Sequence, residues 1–324
     1  MLKYLGPHGL KHLTNLFNNV VNTATVPALW KVARIIPLLK PGKPADKGSS
    51  FRPISLLSPL AKILEAVLLP TISDSIDLAT HQHGFRKSRS TTTALQNIAN
   101  KVTKGLNQKK PVDRTVAVAI DLSKAFDTVN HEILITEIYN LQLNGHIKRF
   151  LSSYLRGRQT FVEFRGGRSD HRKLKQGVPQ GGVLSPLLFN LYMKDMPLPP
   201  EGIELTSYAD DATALKSGTD LQAICNDLNA YLDTLNTWFK SKNLQISAAK
   251  SSATLFTTFR GEMSRVLNIK IDGKDVPTVT DPKILGVTLD PLFQFHNHAK
   301  NLKNKNVKYF LRAKTFFVLA VFVI

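Results

Sequence analysis

Residues 114–127 have the sequence RTVAVAIDLSKAFD, an apolar stretch that ends at a carboxylate. Val116, Val118 and Ile120 alternate with alanines, which is typical of a buried strand. The strand is predicted to end at Asp121. The chain has 24 acidic residues against 43 basic ones, so the position of each carboxylate carries information. We therefore take Asp121 as a candidate functional residue.

A second acidic element follows, where residues 203–215 are predicted to form two short strands joined at Ala209-Asp210-Asp211. Adjacent carboxylates repel each other and are costly in a half-buried turn unless a cation is bound. Two Mg²⁺ ions about 3.5–4 Å apart, bridged by carboxylates from neighbouring strands, are what nucleotidyl transfer needs. Considered alone, such a pair is more often a solvated turn than a metal site.

Residues 176–186, QGVPQGGVLSP, lie between these two acidic elements. They are predicted to form an exposed loop whose glycines let the backbone approach a ligand closely. Ser185 is predicted to be the N-cap and Pro186 the first residue of a helix that runs to about Met196.

Helices and strands are interleaved elsewhere without a regular βαβ rhythm, which predicts an α+β fold. We expect helices within 1–30 and at about 56–69, 131–143, 146–156 and 220–240, a strand at 32–39, hairpins at Gly166-Gly167 and Asp272-Gly273, and short strands through 244–290.

The formal net charge of +19 makes nucleic acid the first expectation for a partner, an anionic membrane the second, and a solvated basic surface the alternative. Nine of the basic residues fall within 141–180. The single cysteine, Cys225, excludes an intrachain disulfide framework and a multi-cysteine zinc site. No apolar run reaches the roughly 20 residues of a membrane span, and the start lacks a signal-peptide core, so we expect an intracellular protein without a membrane partner.

Taken together and in order, these segments resemble the reverse transcriptase of non-LTR retrotransposons, closest to jockey-like elements. Three segments resemble fingers motifs: residues 35–43, 51–55 and 83–91. Residues 119–127 resemble the first palm motif, 177–186 the template and nucleotide loop, and 208–211 the catalytic box. Residues 243–250 resemble the motif after the box, and 284–290 the primer-grip region.

The resemblance implies a right-hand polymerase architecture with fingers and palm and a truncated or absent thumb. Its implied divisions are a helical lead-in at 1–30, fingers at 31–113, a palm at 114–290 with inserted fingers helices at about 131–175, and a truncated thumb or atypical tail at 291–324.

The resemblance also implies a role for individual residues. Asp121 and Asp210 would be the principal ligands of two Mg²⁺ ions, or of Mn²⁺ in their place, with Asp211 secondary and Lys250 a candidate general acid. The nucleotide-binding set would be Lys40, Arg52, Phe126, Gln180 and Gly181, with Phe126 as the steric gate against a ribose 2′-hydroxyl. The nucleic-acid-binding set would be Arg86, Arg156, Arg158, Arg172, Lys173 and Lys175.

Each assignment has a structural alternative: Phe126 as ordinary core, Gln180 as a loop amide and Lys250 as a solvated lysine. The function that the resemblance implies is an RNA-directed DNA polymerase that extends a DNA primer on an RNA template with dNTPs, by two-metal nucleotidyl transfer. The alternatives are a noncatalytic nucleic-acid-binding remnant and an RNA-templated RNA polymerase. Phe126 disfavours the last, because a ribonucleotide enzyme needs room at that position.

Overall fold

The computed structural model describes residues 4–108 and 110–312, the side chains of 305–312 excepted. The chain forms two compact units. The first comprises residues up to Phe85, Leu122–Pro197 and Thr237–Gln245, and the second comprises Arg86–Asp121, Leu198–Asn236 and the residues from Ile246.

Strands and helices are numbered in chain order. The strands are β1 (Val32–Leu39), β2 (Phe51–Leu56), β3 (Arg114–Ile120), β4 (Gln159–Phe164), β5 (Gly167–Arg168), β6 (Arg172–Lys173), β7 (Ile203–Tyr208), β8 (Asp211–Gly218), β9 (Ser252–Phe256), β10 (Lys270–Ile271), β11 (Lys274–Asp275), β12 (Lys283–Ile284) and β13 (Val287–Thr288). The helices are α1 (Pro7–Thr23), α2 (Pro59–Ser73), α3 (Thr91–Leu106), α4 (Ala125–Thr128), α5 (His131–Asn140), α6 (Gly145–Leu155), α7 (Ser185–Tyr192), α8 (Leu221–Ser241) and α9 (His296–Arg312).

The first unit contains a sheet of order β2-β1-β4-β5, with β6 also paired to β4. β1 is antiparallel to β2 and parallel to β4. Helix α5 packs against α6 and α7. The sides they turn to each other are apolar, and Leu134, Leu151 and Leu188 are fully buried. This packing holds the loop before α7 on a rigid helical base.

The second unit contains the antiparallel sheet β7-β8-β3-β9. β3 is a central strand, and Val116, Ala117 and Val118 are almost completely buried, as the apolar run predicts. Helix α3 packs on β3, β7 and β8. The β3–β8 register pairs Ile120 with Ala212, which brings the ends of the two strands together.

Most of the predicted elements are confirmed within a few residues, including β1, β3, the β7–β8 hairpin and α8. The capping prediction for α7 is wrong. Ser185 is the first helical residue, Leu184 takes the N-cap position without a side-chain cap, and the Ser185 hydroxyl instead donates to the Pro179 carbonyl at 2.6 Å. The helix also ends at Tyr192 rather than Met196, because the chain continues from there as a turn.

Within the described residues, the helices are too short or too polar to span a bilayer. The apolar run at 316–324, which belongs to the predicted tail, lies outside the described residues.

Candidate active site

The predicted catalytic carboxylates lie at the ends of two neighbouring strands in the second unit. Continuing the β3–β8 register by one residue places Asp121 opposite Asp211. Asp210 occupies the two-residue turn between β7 and β8, in which Tyr208 pairs with Asp211. Ala209 has a φ of 58°, a left-handed conformation that disfavours residues other than glycine. The hairpin therefore accepts some backbone strain where it presents the two carboxylates.

Asp121 is fixed through its backbone, while its side chain is left under-satisfied. Its N–H donates to Ser251 Oγ at 3.1 Å, and its carbonyl accepts from the Ser247 N–H at 2.8 Å. Its Oδ1 is buried and accepts no hydrogen bond from the described residues. The nearby Lys250 Nζ lies 3.8 Å from Oδ1, beyond hydrogen-bonding distance. A buried carboxylate oxygen in this state favours a cation.

Lys250 is in a turn before β9. Its side chain is 67% exposed. The ammonium group can therefore turn either toward Asp121 or toward solvent.

The acidic residues of this hairpin influence one another. Burial, and then the charge of Asp121, raise the pKa of Asp210. Burial raises the pKa of Asp211, as do the charges of Asp210 and Asp121. Two carboxylates whose ionisation is opposed by burial and by neighbouring negative charge are an environment in which a divalent cation is stabilised.

The carboxylates have the chemistry of a magnesium site without a closed coordination shell. Carboxylate oxygens are the ligands that Mg²⁺ prefers, and the unpartnered Oδ1 of Asp121 is a free ligand atom. In the described residues, however, no three His, Cys, Asp or Glu side chains converge as a metal-binding group. The donor set fits the ion in kind.

The predicted nucleotide loop is in the first unit, and its glycines are required by the backbone. Gly177 and Gly181 have φ values of +89° and +100°. A Cβ on Gly181 would lie 2.8 Å from the Ser55 carbonyl oxygen, and one on Gly177 would lie 2.9 Å from that of Asp127. The loop therefore runs against neighbouring backbone at both points and tolerates no side chain there.

The side chain of Gln180 is held in place by the carboxylate of Asp127. Its Nε2 donates to Asp127 Oδ1 at 2.7 Å. Both residues line a cavity of about 160 Å³, together with Ser55 and Thr160. The Oγ1 of Thr160 is buried without a hydrogen-bond partner among the described residues. The loop thus presents an oriented amide beside a small, partly polar cavity.

Phe126 is half-buried in an aromatic cluster. Its ring stacks on Phe189 with centroids 4.3 Å apart and meets the edge of Phe85 at 6.4 Å. Phe189 is completely buried, whereas Phe126 retains an accessible face. The ring therefore packs on Phe189 while part of it remains accessible to solvent.

Lys40 and Arg52, predicted to bind the nucleotide, lie at the loop end of the β1–β2 hairpin. Lys40 Nζ donates to the Ser49 carbonyl at 2.9 Å. Arg52, which pairs with Leu38, has an exposed side chain. Both cations lie on one hairpin of the first unit.

The predicted nucleic-acid-binding residues divide into accessible and buried ones. Arg172, Lys173 and Lys175 are exposed, and Arg156 is exposed but bound to Glu132 at 2.9 Å. Arg86 is partly exposed. Arg158 is a correction: only 1% of it is exposed, and its Nη1 donates to the Tyr154 carbonyl at 3.1 Å. It cannot reach a phosphate from this position.

Two features escaped the sequence reasoning. The β4–β6 hairpin region stacks the Phe161 ring on His171 at 5.0 Å and places the Arg168 guanidinium 4.0 Å from the Phe161 centroid. The alternation of aromatic and basic residues along 161–172 is a signal for it. The second feature is Glu65, a carboxylate buried on helix α2. Its only signal is that it is the one acidic residue of a mostly apolar helix.

Residues 40–308 match the family described as reverse transcriptase (RNA-dependent DNA polymerase). Because the match covers most of the chain, this chain belongs to the reverse transcriptase family. It is 32% identical over 92% of its length to a probable RNA-directed DNA polymerase from transposon BS of Drosophila melanogaster. It is 29% identical over 93% of its length to the RNA-directed DNA polymerase from mobile element jockey of the same species. The resemblance to jockey-like elements is thus confirmed.

The chain spans about a third of these relatives, 34% and 33% of their lengths. It also resembles a structure of apo telomerase from Candida tropicalis truncated from the C-terminal domain. The TM-score is 0.52 at 11% identity, over 88% of this chain and 59% of that one. At this identity the likeness concerns the fold alone. With the family match, it identifies a polymerase fold of mixed helices and sheets, which confirms the α+β prediction.

Proposed function

We propose that this chain is an RNA-directed DNA polymerase of a non-LTR retrotransposon, which extends a DNA primer on an RNA template. The observation that carries the proposal is the juxtaposition of Asp121 and Asp211 at neighbouring strand ends, with Asp210 in the adjoining turn, in a chain that matches the reverse transcriptase family. We assign a helical lead-in to 1–30, the fingers to 31–113, and the palm to 114–290 with the inserted helices at about 131–175.

In this proposal Asp121 and Asp210 hold two divalent metal ions, with Asp211 as a secondary ligand. Bound Mg²⁺ would lower the pKa of the primer 3′-hydroxyl and neutralise the leaving pyrophosphate. Asp121 is suited to its role because its backbone is held by Ser247 and Ser251 while Oδ1 is free. Lys250, close to Asp121 and mostly exposed, would donate a proton to pyrophosphate.

The first unit would bind the nucleotide. Lys40 and Arg52 would contact the triphosphate, Arg52 as a bidentate fork and Lys40 as a point charge. Gln180 and Gly181 would lie against the nucleotide and template. Phe126 would exclude a 2′-hydroxyl. The exposed cations on and after β6 would contact the backbone of the RNA template.

A primer-extension assay tests the proposal. The purified chain is incubated with an RNA template, an annealed DNA primer, Mg²⁺ or Mn²⁺, and either dNTPs or rNTPs. We expect extension with dNTPs and none by an Asp121→Asn variant. Extension with rNTPs instead would indicate an RNA polymerase. Binding of template–primer without extension in either metal would indicate a noncatalytic nucleic-acid-binding protein.

A further inference from the structure

Three polar side chains of the first unit are buried together beneath the nucleotide loop. Glu65 on α2, Tyr154 on α6 and Arg158 before β4 are 1%, 3% and 1% exposed. The guanidinium of Arg158 lies 4.9 Å from the centroid of the Tyr154 ring, and the Tyr154 hydroxyl faces Glu65 and Ser185. Charged groups in such a place are costly unless they are bound to something specific.

Glu65 is bound to the loop backbone. Its Oε2 accepts from the Leu184 N–H at 3.0 Å. Burial raises the pKa of Glu65, an effect that the Leu184 and Val183 amides, Tyr154 and the positive charge of Arg158 oppose.

This hydrogen bond satisfies a backbone N–H at the start of α7, where the helix has no side-chain cap. Leu184 is the N-cap residue of α7 and has no side chain that can accept a hydrogen bond. The free N–H groups of a helix N-terminus need an acceptor. Glu65 supplies it from another helix, so the position of the loop depends on α2.

The loop is closed tightly around the same cluster. A Cβ on Gly182 would lie 2.6 Å from Ser185 Oγ, 2.8 Å from Tyr154 Oη and 3.1 Å from Glu65 Oε2. The Gly182 N–H donates to the Pro179 carbonyl at 3.0 Å, closing the turn that contains Gln180 and Gly181. The cluster is thus in contact with the turn that presents the proposed nucleotide ligands.

We propose that Glu65 is a positioning residue for the incoming nucleotide. Its carboxylate fixes the backbone at Leu184 and thereby the place of Gln180 and Gly181. The inference rests on the proposed function, because it assigns these two loop residues to the nucleotide. A charged acceptor makes hydrogen bonds that are shorter and stronger than those of a neutral cap, which holds the loop in one geometry.

The test compares two buried carboxylates of the same unit. Glu65→Leu removes the acceptor and Glu65→Gln retains one amide oxygen. Glu137→Leu is the matched control, because Glu137 is 9% exposed and bound to Lys194 and Lys242 rather than to the loop. Hydrogen exchange at the Leu184 amide reports the anchoring, and steady-state kinetics with dNTPs report the consequence.

We expect Glu65→Leu to accelerate exchange at the Leu184 amide by at least about tenfold. We expect it to raise the dNTP KM by roughly tenfold with a smaller change in kcat. Glu65→Gln should lie between it and the wild type. Glu137→Leu should lower the melting temperature without changing either loop exchange or KM.

Unchanged exchange at Leu184 in both Glu65 variants would overturn the anchoring. Faster exchange with an unchanged KM would overturn the positioning role, and so would an equal rise of KM in Glu137→Leu. If Glu65→Leu does not fold, Glu65→Gln decides by the same two measurements. A wild-type chain that incorporates no nucleotide would contradict the proposed function instead, and the exchange experiment would still decide whether Glu65 anchors the loop.

Discussion

Asp210 is a direct test of the proposed metal site, because both burial and the charge of Asp121 raise its pKa. Replacing it with Asn keeps the shape of the turn and removes the charge. We expect Asp210→Asn to retain the fold and to slow primer extension by at least about a hundredfold, because a lost metal ligand removes several kcal/mol of transition-state stabilisation. Extension rate and melting temperature are measured together. Extension at a near wild-type rate would contradict the assignment.

Phe126 tests sugar selection. A phenyl ring against the sugar leaves no space for a 2′-hydroxyl and offers it no hydrogen-bond partner. We expect Phe126→Val to admit rNTPs while retaining much of the dNTP rate. It should also cost up to about 2 kcal/mol of stability, since the ring stacks on Phe189 but is only half-buried. The ratio of rNTP to dNTP incorporation is the measurement.

A control separates selection from packing for Phe126. Phe17→Val removes another aromatic contact, with Trp30 at 6.2 Å. It should lower stability without altering sugar choice. If Phe126→Val does the same, its ring is ordinary core.

The sequence predicts some properties of a single residue and not others. Asp121 could be placed, because a buried strand with a two-residue period must end somewhere and the carboxylate marks that end. The burial of Arg158 could not be predicted, because an arginine near a run of basic residues has the same local pattern whether it faces solvent or a buried tyrosine ring. Only tertiary packing distinguishes the two.

Individual elements were predicted where local patterns suffice. The β7–β8 hairpin and α8 follow from alternation and from the leucine stripe of the helix. Helix α3 was not predicted, although it carries a capping box between Ser90 and Thr93 and an apolar stripe at Ala94, Ile98 and Val102. The start of α7 was wrong for a physical reason. Ser185 has the right side chain for an N-cap, but the acceptor comes from Glu65, which is distant in sequence.

Glu137 on helix α5 forms ion pairs with Lys194 and Lys242, and these pairs lead to a prediction about pH. Burial raises the pKa of Glu137, but its bonds to Lys242 and Lys194 outweigh this and lower the pKa overall. A carboxylate with a lowered folded-state pKa contributes stability above its unfolded pKa of about 4.3 and loses that contribution as the pH falls through the folded value.

We therefore expect Glu137→Gln to melt at a lower temperature than the wild type at pH 7, by the equivalent of about 1–3 kcal/mol. The difference should shrink as the pH falls below about 4.3. Glu132→Gln is the control, since its pair with Arg156 is exposed and worth at most about 1 kcal/mol. A difference for Glu137→Gln that stays constant from pH 7 to pH 3 would show that the ion pair does not carry it.

For the molecule as a whole, the excess of 43 basic over 24 acidic residues is its most general property. Such a charge predicts binding that depends on phosphates rather than on base sequence. If six phosphates are neutralised, affinity for an RNA–primer duplex should fall roughly a thousandfold between 50 and 200 mM salt. A salt-independent affinity would contradict nucleic acid as the partner.

Two double variants, each lacking two positive charges in a different part of the chain, test which basic residues contact the phosphates. Arg172 and Lys173 form β6 and are both exposed. Replacing both with Gln should reduce the slope of log affinity against log salt by about two, because each phosphate contact contributes about one. The control is the double variant Lys270→Gln with Lys274→Gln, which removes the same charge from the β10–β11 hairpin, outside the basic segment 141–180. Its slope should remain that of the wild type, whereas equal slopes for both variants would show that net charge alone, rather than the basic segment, determines binding.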